Sequence, residues 1–268
     1  MNSRNPIILM LLLLQMLGFG LVERAEALTL DWSTVTWTGG GLSAGFDIDP
    51  DNAGDDITIT ISGSTGFFQS GTPAINDRII TGQDALDLWL DFDKDNKSVV
   101  VTVTFNYSLG VSNASVTLFD VDRGPSSGKG STYTFVDEIS QIKATATNSS
   151  IVAATSVTTS TDNASSGSGT NIIVYGSGEN PTDSSGGNVG ISFGTNVISS
   201  FTFTYGNNSS SQKDPDQQWI GLFDITFTPK KIPEKGTTLA LAGIGLGCVF
   251  FGYRFRRTAL LKAASGAV

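Results

Sequence analysis

Alternation at a period of two constrains this chain more than any other feature. In Val99-Val100-Val101-Thr102-Val103-Thr104-Phe105, one side carries Val99, Val101, Val103 and Phe105. In Ser200-Phe201-Thr202-Phe203-Thr204-Tyr205 the aromatics share one side and the hydroxyls the other. Successive side chains of a strand point to opposite faces, so each run has one buried face and one wet face. From Leu28 to Thr228 helical periodicity is almost absent. Short β-branched and aromatic runs recur instead between Gly, Ser, Asn and Asp clusters, and predict strands at 29–37, 57–62, 86–92, 98–106, 115–121, 132–136, 151–157, 171–175, 189–193, 199–205 and 219–228. The expected fold is all-β, a two-sheet sandwich of jelly-roll or Greek-key type. Residues 126–130 and 158–170 read as mobile stretches, the second as a long surface loop rather than a boundary between two domains, and residues 28–229 as one domain.

Charge and composition then exclude several functions. Between Leu28 and Pro229 there are 22 acidic and 7 basic residues, a net of −15, whereas the whole chain carries −9. Such a surface repels phosphate backbones, which excludes nucleic acid as a partner. The single cysteine, Cys248, lies outside this segment, so no disulfide can form within it. The chain has no histidine, which removes His-based triads, His-ligated zinc and the commonest general base. A carboxylate pair acting on glycosides is the remaining catalytic route. Trp32, Trp37, Trp89 and Trp219 all lie in strand-like runs, where a core role is expected, and the chain reads as non-enzymatic.

Both ends have their own character. Arg4, the apolar run Ile7–Val22 and Ala25-Glu26-Ala27 form the pattern of a secretory signal peptide over residues 1–27. Residues 230–236 form a polar linker holding Pro233 and Glu234. Thr237–Tyr253 is a 17-residue apolar stretch, long enough as a helix for about 25 Å, near the lower limit for a transmembrane span. Residues 254–268 begin with Arg254, Arg256 and Arg257, a basic stop expected to stay cytoplasmic.

Ile232-Pro233-Glu234, the short apolar helix and the arginine cluster together resemble the PEP-CTERM sorting signal, with Lys235 where that family has its second proline. The resemblance covers about 25 residues and leaves the β domain unassigned. It implies recognition by exosortase, a membrane-embedded processing enzyme, in bacteria that make exopolysaccharide. The sorting residues it implies are Pro233, Glu234, Arg254, Arg256 and Arg257. An ordinary single-span anchor is the alternative.

The acidic residues suggest hard-cation sites. Asp91, Asp93 and Asp95 supply the first positions of an Asp-x-Asp-x-Asp calcium loop, without its glycine and closing glutamate. The same segment also reads as a turn. Asp47, Asp49, Asp51, Asp55 and Asp56 fit a solvated loop equally well. Asp120 and Asp122 end one predicted strand and Asp137 follows the next, so pairing of the two would bring the carboxylates together. Like charges that close need a Ca²⁺ ion or a basic group such as Arg123. The functional expectation is an exported surface or exopolysaccharide-associated matrix protein, initially anchored in the inner membrane by its C-terminal helix. The alternative is a calcium-dependent carbohydrate-binding module.

Overall fold

A computed structural model describes residues 26–128, 132–181 and 183–231. The expected signal peptide, Pro233, Glu234, the span 237–253 and the arginines Arg254, Arg256 and Arg257 lie outside the described residues, Glu26 and Ala27 excepted. Among the described residues no helix is long and apolar enough to cross a membrane.

The strands are β1 (Leu28–Leu30), β2 (Ser43–Phe46), β3 (Ile57–Gly63), β4 (Ala74–Asn76), β5 (Ala85–Leu90), β6 (Ser98–Phe105), β7 (Val111–Phe119), β8 (Asp137–Ala146), β9 (Ile151–Ala153), β10 (Ser156–Thr159), β11 (Asn163–Ser166), β12 (Ile173–Gly176), β13 (Val189–Ser192), β14 (Ile198–Asn207) and β15 (Gln218–Pro229). The pairings between these strands are antiparallel and link them into one large, curled sheet. One half runs β2-β3-β6-β14-β8, with β9 and β12-β11 beyond β8. The other runs β10-β13-β7-β15, with β5-β4 and β1 along the far side of β15. The halves meet at a corner through the pair Ile198 and Val111.

Curling brings the two apolar faces together. β6 and β15 do not pair, yet the rings of Phe105 and Phe227 lie 4.9 Å apart. Val99, Val101, Val103 and Phe105 are buried, as their alternation predicts, and so are Phe201, Phe203 and Tyr205. Burying each such side chain contributes about 1.5–3 kcal/mol, and the shared core holds the curl closed. A smaller apolar group (Ile79, Ala85, Phe119, with Trp219 and Phe223 against it) lies on the outer face of β5, β7 and β15.

The expected elements hold with local exceptions. The run 29–37 stops as a strand at Leu30, because Asp31 accepts the Ser33 N–H and hydroxyl and turns the chain into a short 3₁₀ segment, Trp32–Thr34. The run 151–157 splits into β9 and β10. Residues 132–136 form isolated bridges only, and β8 begins after them. Residues 163–166 within the expected loop 158–170 are β11, paired with β12, so that stretch belongs to the same unit.

Candidate functional site

Three carboxylates are buried where β7 ends and β8 begins. After Phe119 the chain turns at Asp120, whose φ is +65°, a left-handed conformation that Asp tolerates better than most residues. Val121 is buried in the core, and Asp120 and Asp122 on either side of it are buried as well. Asp122 and Asp137 then clasp one another. The Asp137 N–H donates to the Asp122 carbonyl at 2.9 Å, and the Asp122 N–H donates to Asp137 Oδ2 at 3.2 Å. From β14, the Tyr205 hydroxyl donates to Asp137 Oδ1 at 2.9 Å. Asp120, Asp122 and Asp137 are 8%, 7% and 0% exposed; Asp122 and Asp137 touch directly, while Asp120 is tied to Asp122 through Asn180.

The loop after β12 closes the site. Asn180 donates its backbone N–H to Asp122 Oδ2 at 2.7 Å and its Nδ2 to Asp120 Oδ1 at 2.8 Å. Backbone contacts reinforce it, with the Val121 N–H to the Gly187 carbonyl and the Arg123 N–H to the Gly178 carbonyl. Gly176 permits this approach, since a Cβ there would fall 1.9 Å from the Asp122 carbonyl oxygen.

Among the described residues, the hydrogen bonds to these carboxylates come from neutral donors. Arg123, the expected basic partner, instead stacks over the Tyr133 ring at 4.0 Å. Among the described residues, the ion pairs involve Asp87, Asp95 and Asp51, not these three. Burial therefore dominates their ionisation. It pushes Asp120 up to about 6, with the Asn180 and Trp219 hydrogen bonds opposing. Burial and the neighbouring Asp120 push Asp122 up to about 8. Burial and the neighbouring Asp122 raise Asp137 well above the usual carboxylate range. Unpaired charge in such surroundings costs several kcal/mol, and the arrangement retains protons near neutral pH.

Asp87 on β5 adjoins this group and raises Asp120 further. It is fully buried, accepting from Asn76 at 3.0 Å and lying 3.5 Å from Arg78. Gln218, 1% exposed at the start of β15, sits beside Tyr205 with neither amide atom in a well-formed hydrogen bond.

The other expected cation residues are arranged differently. Asp91, Asp93 and Asp95 lie on the crossing from β5 to β6, which belong to different halves of the sheet. Asp91 and Asp93 are exposed, and Asp95 pairs with Lys213 at 2.5 Å. The five-aspartate loop is not simply solvated: fully buried Asp56 accepts from the Ile48 and Asp49 N–H groups at 2.8 and 2.6 Å and from Asn52 at 2.6 Å. Among the described residues no three acidic, His or Cys side chains converge as a metal cage.

Sequence reasoning missed Asp87, Asn180 and Gln218. Asp87 interrupts the apolar run Ala85–Leu90, and that is the one signal that could have marked it. Asn180 carries none, being 58 residues from Asp122.

None of the described Trp, Tyr and Phe side chains is exposed. Trp32 and Trp37 belong to the core; Trp89 and Trp219 pack edge to face at 6.0 Å, with Arg78 4.6 Å above Trp89. No protein-family model matches the chain, and no curated protein matches it.

Proposed function

We propose that the chain is an exported structural protein of the cell surface or exopolysaccharide matrix, and not an enzyme. In this reading residues 1–27 direct export and the tail from Pro233 to the arginines is the sorting or anchoring signal, engaging an exosortase-like enzyme and the membrane. The curled sheet is then a two-sheet sandwich of jelly-roll or Greek-key type standing outside the membrane. The observation that carries this reading is the enclosure of the aromatics. A domain that recognises sugars by stacking presents aromatic faces to solvent, whereas none of the aromatics described here is exposed.

Fractionation of producing cells tests the proposal. The protein is expected in the surface and matrix fractions, with a mature N-terminus near Leu28. Recovery as a soluble cytoplasmic protein would contradict it.

One observation favours a second reading, a calcium-dependent carbohydrate-binding module. Asp120, Asp122 and Asp137 lack a cationic partner among the described residues, and Ca²⁺ would neutralise them as protons do.

A further inference from the structure

The outer face of the β10-β13-β7-β15-β1 half carries a row of hydroxyl side chains. Strand register places Ser156 opposite Ser192, Ser192 opposite Ser115, Ser115 opposite Thr226, and Thr226 opposite Thr29. Residues directly opposite in antiparallel strands share a face. Five hydroxyls therefore form one row across five strands, about 19 Å at the usual strand spacing. Ser115 Oγ and Thr226 Oγ1 are 2.7 Å apart.

The next row makes the face concave. Thr158 opposes Gly190, and Gly190 opposes Thr117. A Cβ at Gly190 would meet Thr158 Oγ1 at 2.5 Å, so glycine leaves the floor low between two threonines. Opposite Thr117, β15 bulges between Leu222 and Ile225. Bulges re-aim side chains, and this one sets Phe223 and Asp224 along one edge, with Phe223 stacked on Phe119 at 4.6 Å. The result is a groove of about 490 Å³.

We propose that this groove binds an extended, uncharged polysaccharide strand. Each floor hydroxyl both donates and accepts, as sugar hydroxyls do, and the row repeats such groups at regular spacing. Asp224 offers a further acceptor, and the half-buried Phe223 one apolar edge. Hydroxyl side chains predominate along the groove, with Phe223 its one aromatic group, which suits a hydroxyl-rich ligand better than the aromatic centre of a protein interface. A polyanion is disfavoured by the net −15 of the surrounding domain. The inference rests on the matrix reading and names what the domain would hold there.

The test is retention of the full chain, purified in detergent, on cellulose, dextran and galactomannan, with alginate as the polyanion. Retention on at least one neutral polymer and not on alginate is expected. Ser192→Leu, which fills the floor, should weaken it at least about tenfold, and the shape-preserving pair Ser115→Ala with Thr226→Val by about three- to tenfold. Thr60→Val, which removes an exposed hydroxyl from the other half of the sheet, should leave it unchanged. The double variant keeps the test open if Ser192→Leu unfolds. Failure to bind any neutral polymer, undiminished binding by the folded variants, a preference for alginate, or self-association weakened by the same variants would overturn the groove. Matrix localisation together with such a failure would discard the groove and leave the proposed function standing.

Discussion

Two equally buried regions of this molecule are stabilised in opposite ways. Between the halves of the sheet, Phe105, Phe201, Phe203 and Phe227 gain free energy simply by leaving water. A few residues away, at the end of β14, the same alternation delivers Tyr205 to a cluster of carboxylates. Burial there costs free energy, and hydrogen bonds and protons offset it. The core is consequently indifferent to pH, while the acidic end is sensitive to it and depends on the loop that supplies Asn180.

Substitutions can break or sharpen that contrast. Phe203→Ala should give the largest loss, about 3–5 kcal/mol, similar at pH 5 and pH 8 in denaturant titrations. Tyr205→Phe keeps the packing but strands Asp137 Oδ1, and should cost about 1–3 kcal/mol. A loss the same as that of an ordinary surface change would mean that the hydroxyl bond does not hold the site. Asn180→Ala removes the bond to Asp120 and keeps the backbone N–H, so about 1 kcal/mol is expected. Amide exchange should quicken locally at Gly178 to Asn188 rather than across β6 and β14. Asp95→Asn, breaking the outward-facing pair with Lys213, should cost less than about 1 kcal/mol and respond to salt.

Alternation made the dry core readable, since Val99 to Phe105 and Phe201 to Tyr205 follow it without interruption. It failed at β8 for a local reason. Gln141 adopts φ +53°, and this bulge puts the buried Ile139 and Ile142 three residues apart, a spacing that does not read as a strand. The short elements β2, β4 and β11 carry too few apolar residues to declare themselves. At the acidic end, Asp120, Asp122 and Asp137 were legible as strand termini. Their neighbours were not, because Asn180 and Gln218 arrive by tertiary pairing. The segment Asp91 to Asp95 was legible as a turn before it was legible as a cation site, and in the structure Lys213 takes up its innermost carboxylate.

The most direct test is the melting temperature of the protein from pH 4 to pH 9, alone, with excess calcium, and as Asp122→Asn. Carboxyls raised to about 6 and about 8 in the fold, against about 3.9 when unfolded, contribute stability that is whole below about pH 4 and is lost as pH rises through those values. Each proton the fold retains costs about 1.4 kcal/mol per pH unit, or roughly 3–5 °C in a domain of this size. The account predicts that decline, its flattening in Asp122→Asn, and no effect of calcium. A flat profile would contradict it, and a rise with calcium at pH 8 would transfer the site to the calcium-dependent reading.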